Sequence, residues 1–158
     1  VIETPLIEKR MTHAILLLTA VLGGVVLAVQ VGVNVQLRNS LGDPITSTLL
    51  SFVVGTAGLA LYAWIARAQW PSGSSLGQVP AWQWAGGLLG AVYVVSTILV
   101  GPPLGAATLL SLVVAGQMIA AMVLDHYGWL GFTQHSMNLW RVAGAGLLIV
   151  GTVLVLRN

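Results

Sequence analysis

GPPLGAATLLSLVVAGQMIAAMVLDHYGWLG, residues 101–131, is the stretch that decides the fold. From Leu104 to Leu124 it carries no charge. About 20 residues rising roughly 1.5 Å each cross a hydrocarbon core of about 30 Å, so a transmembrane helix is expected over 104–124. Gln117 then lies near mid-membrane. Lipid offers a carboxamide no hydrogen-bond partner, so Gln117 is expected to face protein or a water-filled cavity. Asp125 and His126 mark the return to water. Upstream, Gly101, Pro102, Pro103 and Gly105 are expected to break the preceding helix and allow a tight reversal.

The same scarcity of charge runs through all 158 residues, of which 57% are hydrophobic and 6% charged, with a mean hydropathy of +0.93. Soluble domains carry about 25% charged residues, so the composition implies an all-α integral membrane protein. Six Lys and Arg against four Asp and Glu are scattered between apolar runs. That pattern gives no basic face and speaks against nucleic-acid partners. With no Cys, disulfides and thiolate metal sites are excluded. A membrane-embedded enzyme would need a nucleophile beside a base, or clustered metal ligands, at one depth. Ser51, Ser96 and Ser111 have no such partner in the pattern, and the His residues fall near loops. Neither catalysis nor a cofactor is expected.

Four further spans are expected at about 14–36, 45–66, 82–100 and 140–156, giving a single five-helix domain over 11–158. Residues 1–10 (VIETPLIEKR) are polar and are set apart as an N-terminal extension, native or not. In the first span Gly24, Ala28 and Gly32 recur every fourth residue, a groove for close backbone approach. Gln30 and Asn34, also four apart, form a polar face. Residues 38–44 (RNSLGDP) read as a loop in which Asp43 and Pro44 are the N-cap and first position of the second helix. Residues 67–81 are the longest polar connection and the expected flexible loop. Trp64, Trp70, Trp82, Trp84, Trp129 and Trp140 fall near span ends, as interfacial anchors do. Tyr93 instead sits mid-span, after Gly86 and Gly90.

Five spans place the termini on opposite sides. Lys9, Arg10, Arg67 and Arg141 then lie on the N-terminal side and Arg38 and Arg157 on the other. Without residues 1–10 the tally is two against two. Orientation follows a Lys/Arg asymmetry in short loops, so a balanced chain is expected to insert both ways. An antiparallel homodimer would then supply the inverted repeat that transporters use for alternating access.

Residues 24–37 (GVVLAVQVGVNVQL), 41–44 (LGDP), 51–55 (SFVVG), 84–94 (WAGGLLGAVYV), 102–108 (PPLGAAT) and 115–131 (AGQMIAAMVLDHYGWLG) resemble the small bacterial five-helix family of the drug/metabolite transporter superfamily. The resemblance covers nearly all of 11–158. It implies half-size inner-membrane transporters that occur as dual-topology homodimers, as oppositely oriented pairs or as fused two-repeat versions. The four-helix multidrug exporters of that superfamily carry a glutamate in the first helix, whereas this first span offers Gln30 and Asn34. Neither amide titrates, so proton coupling would fall to Asp125, His126 or Asp43. Asp125 opposes its helix dipole, and Arg67 or Arg141 could neutralise it as an ion pair. Gln30, Asn34, Tyr93 and Gln117 are the candidate substrate-binding set; the three amides could equally be interhelical hydrogen bonds. At 1.5 Å per residue Gln30 lies about 7 Å from the middle of its span and Gln117 roughly 4 Å from the middle of its own, toward opposite sides. An uncharged set of this kind suits a small neutral, zwitterionic or softly cationic solute. The alternative to a transporter is a passive channel or a structural membrane assembly protein.

Overall fold

The computed structural model describes the backbone of residues 4–157 and the side chains of residues 10–157. Regular structure among them is helical throughout: α1 (Thr4–Leu41), α2 (Pro44–Ile65), α3 (Gly73–Gly77), α4 (Ala85–Leu104), α5 (Ala106–Tyr127) and α6 (Leu139–Leu156), with 3₁₀ turns at Ala81–Trp84 and Trp129–Gly131. Five stretches are long and apolar enough to cross a membrane: Arg10–Leu41, Pro44–Ile65, Ala81–Leu104, Ala106–Tyr127 and Leu139–Leu156. The expected all-α, five-span architecture is therefore present, and the last span is the shortest at 18 residues.

Local chemistry sets the helix ends. Gly42, at φ +80°, donates its N–H to Arg38 O at 2.8 Å and closes α1. The Asp43 carboxylate then accepts from the Thr46 N–H at 2.6 Å, with Pro44 in the first turn of α2. That backbone hydrogen bond holds the Asp43 pKa below the ordinary carboxylate value. At the other end of the chain Gly128, at φ +64°, terminates α5 in the left-handed region, and the Asn138 side chain caps α6 by accepting from the Arg141 N–H at 2.9 Å.

Several boundaries differ from the sequence expectation. The first helix extends through Arg38 to Leu41, so residues 38–41 are helical and the turn shrinks to Gly42-Asp43. Pro102 and Pro103 do not break the third span; both lie inside α4, which ends at Leu104. Proline carries a near-helical φ and forfeits only its own N–H, and the ladder resumes with Gly105 N–H to Gly101 O at 2.8 Å. The reversal is made by Gly105 alone, whose φ of 77° and ψ of 156° suit glycine. The polar connection after α2 is not wholly irregular, since Ser72 caps the short α3 by accepting from the Ser75 N–H at 3.2 Å.

The chain divides into two compact units, one ending at Leu99 and the other beginning at Val100. In the first, α1 packs on α2. Its buried hydrophobic residues are Val31, Val94 and Ile98, beside the buried polar Asn34, Ser47, Thr48 and Thr97. Three of those hydroxyls bond back to their own helix: Ser47 to Asp43 O at 2.6 Å, Thr48 to Pro44 O at 2.8 Å and Thr97 to Val94 O at 2.9 Å. Small, self-satisfied side chains let backbones approach without leaving a polar group in hydrocarbon. The second unit is built on α5 packed against α6. Leu109 and Thr152 are buried there, and the Thr152 hydroxyl lies 3.1 Å from Ser111 O across the helix pair and 2.9 Å from Leu148 O.

Among the described residues nothing packs closely against the glycines of the small-residue stripe in α1. A Cβ built at Gly24 or Gly32 meets no atom within 4 Å, and the same holds at Gly86; only at Gly90 does the Phe52 ring approach, to 3.6 Å. The six tryptophans stand exposed at or just beyond span ends, where an amphipathic indole meets the membrane surface.

Candidate functional site

The candidate polar set falls in both units. In the first, Val31 and Asn34 of α1 are buried and Gln30 is exposed, so the two amides, one turn apart on the same helix face, meet different surroundings. Asn34 is 3% exposed, and the Ser51 hydroxyl donates to its Oδ1 at 2.9 Å, tying α1 to α2. The Asn34 amide nitrogen has no hydrogen bond among the described residues. Tyr93 on α4 is half-buried. In the second unit Gln117 is exposed on α5 rather than turned toward α6. The observed bounds of α5 also place Gln117 within about 1 Å of the helix midpoint rather than 4 Å from it. Neither Gln30 nor Gln117 makes a side-chain hydrogen bond among the described residues. Two amides within apolar spans are thus left without a hydrogen-bond partner among the described residues.

At the end of α5 the second unit carries a charged cluster. Arg141 Nη1 donates to Asp125 Oδ2 at 3.0 Å, with Arg141 33% and Asp125 28% exposed. Asp125 stands in the last turn of α5 and Arg141 in the first turn of α6. Each charge therefore opposes its own helix dipole, a disfavoured placement of about 0.3–1 kcal/mol apiece at an exposed terminus. The reverse assignment would make the same pair with both dipoles favourable, so helix electrostatics alone does not account for this order.

The segment joining α5 to α6 is fastened onto the cluster. The backbone N–H of His135 bonds to Asp125 O at 2.8 Å, and Gln134 Nε2 donates to His126 O at 3.0 Å. His126 Nδ1 accepts from the Met137 N–H at 3.3 Å, which puts the neutral ring's proton on Nε2. The Tyr127 ring meets His126 edge-on at 4.9 Å and stacks on Trp129 at 4.8 Å. His126 is thus a fastening for the connecting segment instead of a freely solvated imidazole.

Below the ion pair, α5 and α6 enclose a groove of about 320 Å³ lined by Met118, Ala121, Met122, Asp125, Arg141, Gly144, Ala145 and Leu148. Neither this groove nor the Ser51–Asn34 bond was legible beforehand. Both depend on helix rotation, and the one available cue was the pair of small residues Gly144 and Ala145 facing two thioethers at 118 and 122.

A family model described as "Putative inner membrane exporter, YdcZ" matches residues 15–154. The chain belongs to this family. It is a drug/metabolite transporter-type family of membrane exporters, and the chain is a multi-pass inner-membrane protein. The inner membrane protein YdcZ of Escherichia coli (strain K12) is 28% identical over 148 residues, which is 94% of this chain and 99% of that protein. No solved structure matches the chain. The family description and the five apolar helices support a membrane transporter.

Proposed function

We propose that the protein moves a small neutral or zwitterionic solute by alternating access, as a homodimer of two oppositely inserted copies, through a path lined by Gln30, Asn34, Tyr93 and Gln117. The observation that carries this reading is the state of Gln30 and Gln117: both within apolar spans, both exposed, and neither hydrogen-bonded among the described residues. An unsatisfied polar group facing hydrocarbon costs several kcal/mol, so each amide requires a second chain or an aqueous path beside it. The balanced Arg count, with Arg67 and Arg141 on one side and Arg38 and Arg157 on the other, favours a partner inserted in the opposite sense. Gln30 lies about 7 Å from the middle of its span and Gln117 close to the middle of its own, so amides from two inverted copies would occupy successive depths around a shared axis. Asp125, His126 and Arg141 stand at one membrane face, where they serve coupling only if the ion pair opens during the cycle.

Proteoliposomes loaded with an extract of cellular metabolites test the reading. Solutes lost from the lumen are identified by mass spectrometry, and the loss should saturate with concentration. Gln117→Leu should abolish that loss while the protein still inserts and dimerises. If Gln117→Leu exports normally but the dimer dissociates in mild detergent, Gln117 is interhelical glue and the assignment of the path is wrong.

A further inference from the structure

None of the four residues assigned to the amide path lines the groove between α5 and α6, and its chemistry calls for a ligand of its own. Its walls are apolar, with the flexible thioethers of Met118 and Met122 facing the small residues Gly144 and Ala145. Its mouth is the Asp125–Arg141 pair, both members partly open to solvent. The acid sits on α5 beside that helix's C-terminal carbonyls, and the base sits on α6 beside its N-terminal N–H groups. One lip of the mouth is therefore negative and the other positive, on a scale of a few ångströms.

We infer that this groove binds a compact zwitterion with a short apolar body, its ammonium on Asp125, its anionic group on Arg141 and its apolar part against Met118 and Met122. Such a ligand replaces one internal ion pair by two, one at each lip. A simple cation or anion would open the pair and leave the other member unmatched, which is selection by an uncompensated charge. The volume of about 320 Å³ lies at the small end of the roughly 300–1,000 Å³ typical of small-molecule sites. From Asp125 to Met118 the groove runs about 10 Å, short of the roughly 15 Å of hydrocarbon in one leaflet. That depth suits a short body better than a lipid acyl chain. Unbranched thioethers adapt to irregular apolar shapes, as a groove accepting several related bodies requires. Binding here is read without transport, so the site stands or falls independently of the amide path.

The sequence has four methionines, Met11, Met118, Met122 and Met137, which makes methyl-labelled methionine a direct probe of the full chain in lipid nanodiscs. L-leucine serves as the zwitterion, leucinamide as the cation and 4-methylpentanoate as the anion. L-leucine should shift the Met118 and Met122 methyl resonances saturably and leave Met11 unmoved, and the two singly charged analogues should bind at least roughly tenfold more weakly. A Cβ at Gly144 meets no atom within 4 Å, so Gly144→Leu can extend into the groove without moving backbone; it should abolish the shifts and keep the thermal midpoint. Asp125→Asn supplies a second reading that leaves the groove's volume intact: it should erase the preference for L-leucine over 4-methylpentanoate. Equal shifts from all three probes would overturn the inference. So would shifts that persist in Gly144→Leu, or a phosphatidylethanolamine that occupies the groove in phosphatidylglycerol nanodiscs and resists displacement by L-leucine.

Discussion

Replacing Ser51 by Ala and Asn34 by Ala, singly and together, isolates the side-chain bond between them that ties α1 to α2 across the turn at Gly42. The Ser51 hydroxyl lies 2.9 Å from Asn34 Oδ1, and Asn34 is 3% exposed, so water does not replace the lost partner. Interhelical hydrogen bonds in membrane proteins average about 0.6 kcal/mol and reach about 1.7 kcal/mol. Ser51→Ala should therefore destabilise by about 0.6–1.7 kcal/mol. Asn34→Ala should cost more, because truncation also empties a buried site and strands the Ser51 hydroxyl. The double mutant should fall short of the sum by about 0.6–1.7 kcal/mol, the coupling of the pair. Unfolding by dodecyl sulfate in mixed micelles, followed by circular dichroism, measures all four corners of the cycle. Ser96→Ala is the control, since the Ser96 hydroxyl bonds only to Val92 O in its own helix. Additivity of the two changes within about 0.3 kcal/mol would mean the bond contributes nothing, and the reasoning that buries Asn34 as a tie would fail.

Asp43 should make stability acid-sensitive in a defined sense. Its Thr46 bond lowers its pKa in the folded state, so its contribution is complete above the ordinary carboxylate value near 3.8 and is lost as pH falls through the lower folded value. The gap in unfolding midpoint between the parent and Asp43→Ala should be flat at neutral pH and narrow in that acidic window. Gly90→Leu should destabilise by about 1–3 kcal/mol because the Phe52 ring stands 3.6 Å from where its Cβ would be, whereas Gly90→Ala should be tolerated; thermal melts in detergent separate the two. Exchanging the ion pair, Asp125→Arg with Arg141→Asp, should preserve the fold and raise stability by about 1–4 kcal/mol as both helix dipoles change from unfavourable to favourable, again read from unfolding in mixed micelles.

The spans could be read from the sequence because an uncharged run of sufficient length has few alternatives in water. The Asp43 cap was legible for a related reason, since an acid before proline at the head of an apolar run satisfies orphan N–H groups locally. The error at Pro102 and Pro103 came from giving local preference too much weight; two near-helical φ values continue a helix, and the turn waited for Gly105. Four-residue spacing put Gln30 and Asn34 on one face, but Asn34 is buried and bonded to Ser51 of α2 whereas Gln30 is exposed. Spacing gives relative angle and says nothing about absolute rotation. The pairing of Asp125 was open between Arg67 and Arg141, which share a predicted side; the cap at Asn138 starts α6 where Arg141 reaches the last turn of α5. Partners for Gln30 and Gln117 were not within reach of the pattern, because no described residue hydrogen-bonds to either side chain.

Orientation of the inserted chain tests the two-copy transporter most directly. The sequence has no Cys, so Ser74→Cys, between α2 and α4, and Ser40→Cys, at the end of α1, each introduce a single exposed thiol on opposite sides of the membrane. Residues 11–158 carrying either substitution are expressed in a bacterial inner membrane and treated, in intact spheroplasts, with a maleimide that cannot cross lipid. Each variant should label to about half of the total reached after permeabilisation, because balanced arginines let chains insert both ways. Complete labelling of one variant with none of the other would show a single orientation and contradict the antiparallel assembly on which the proposed path depends.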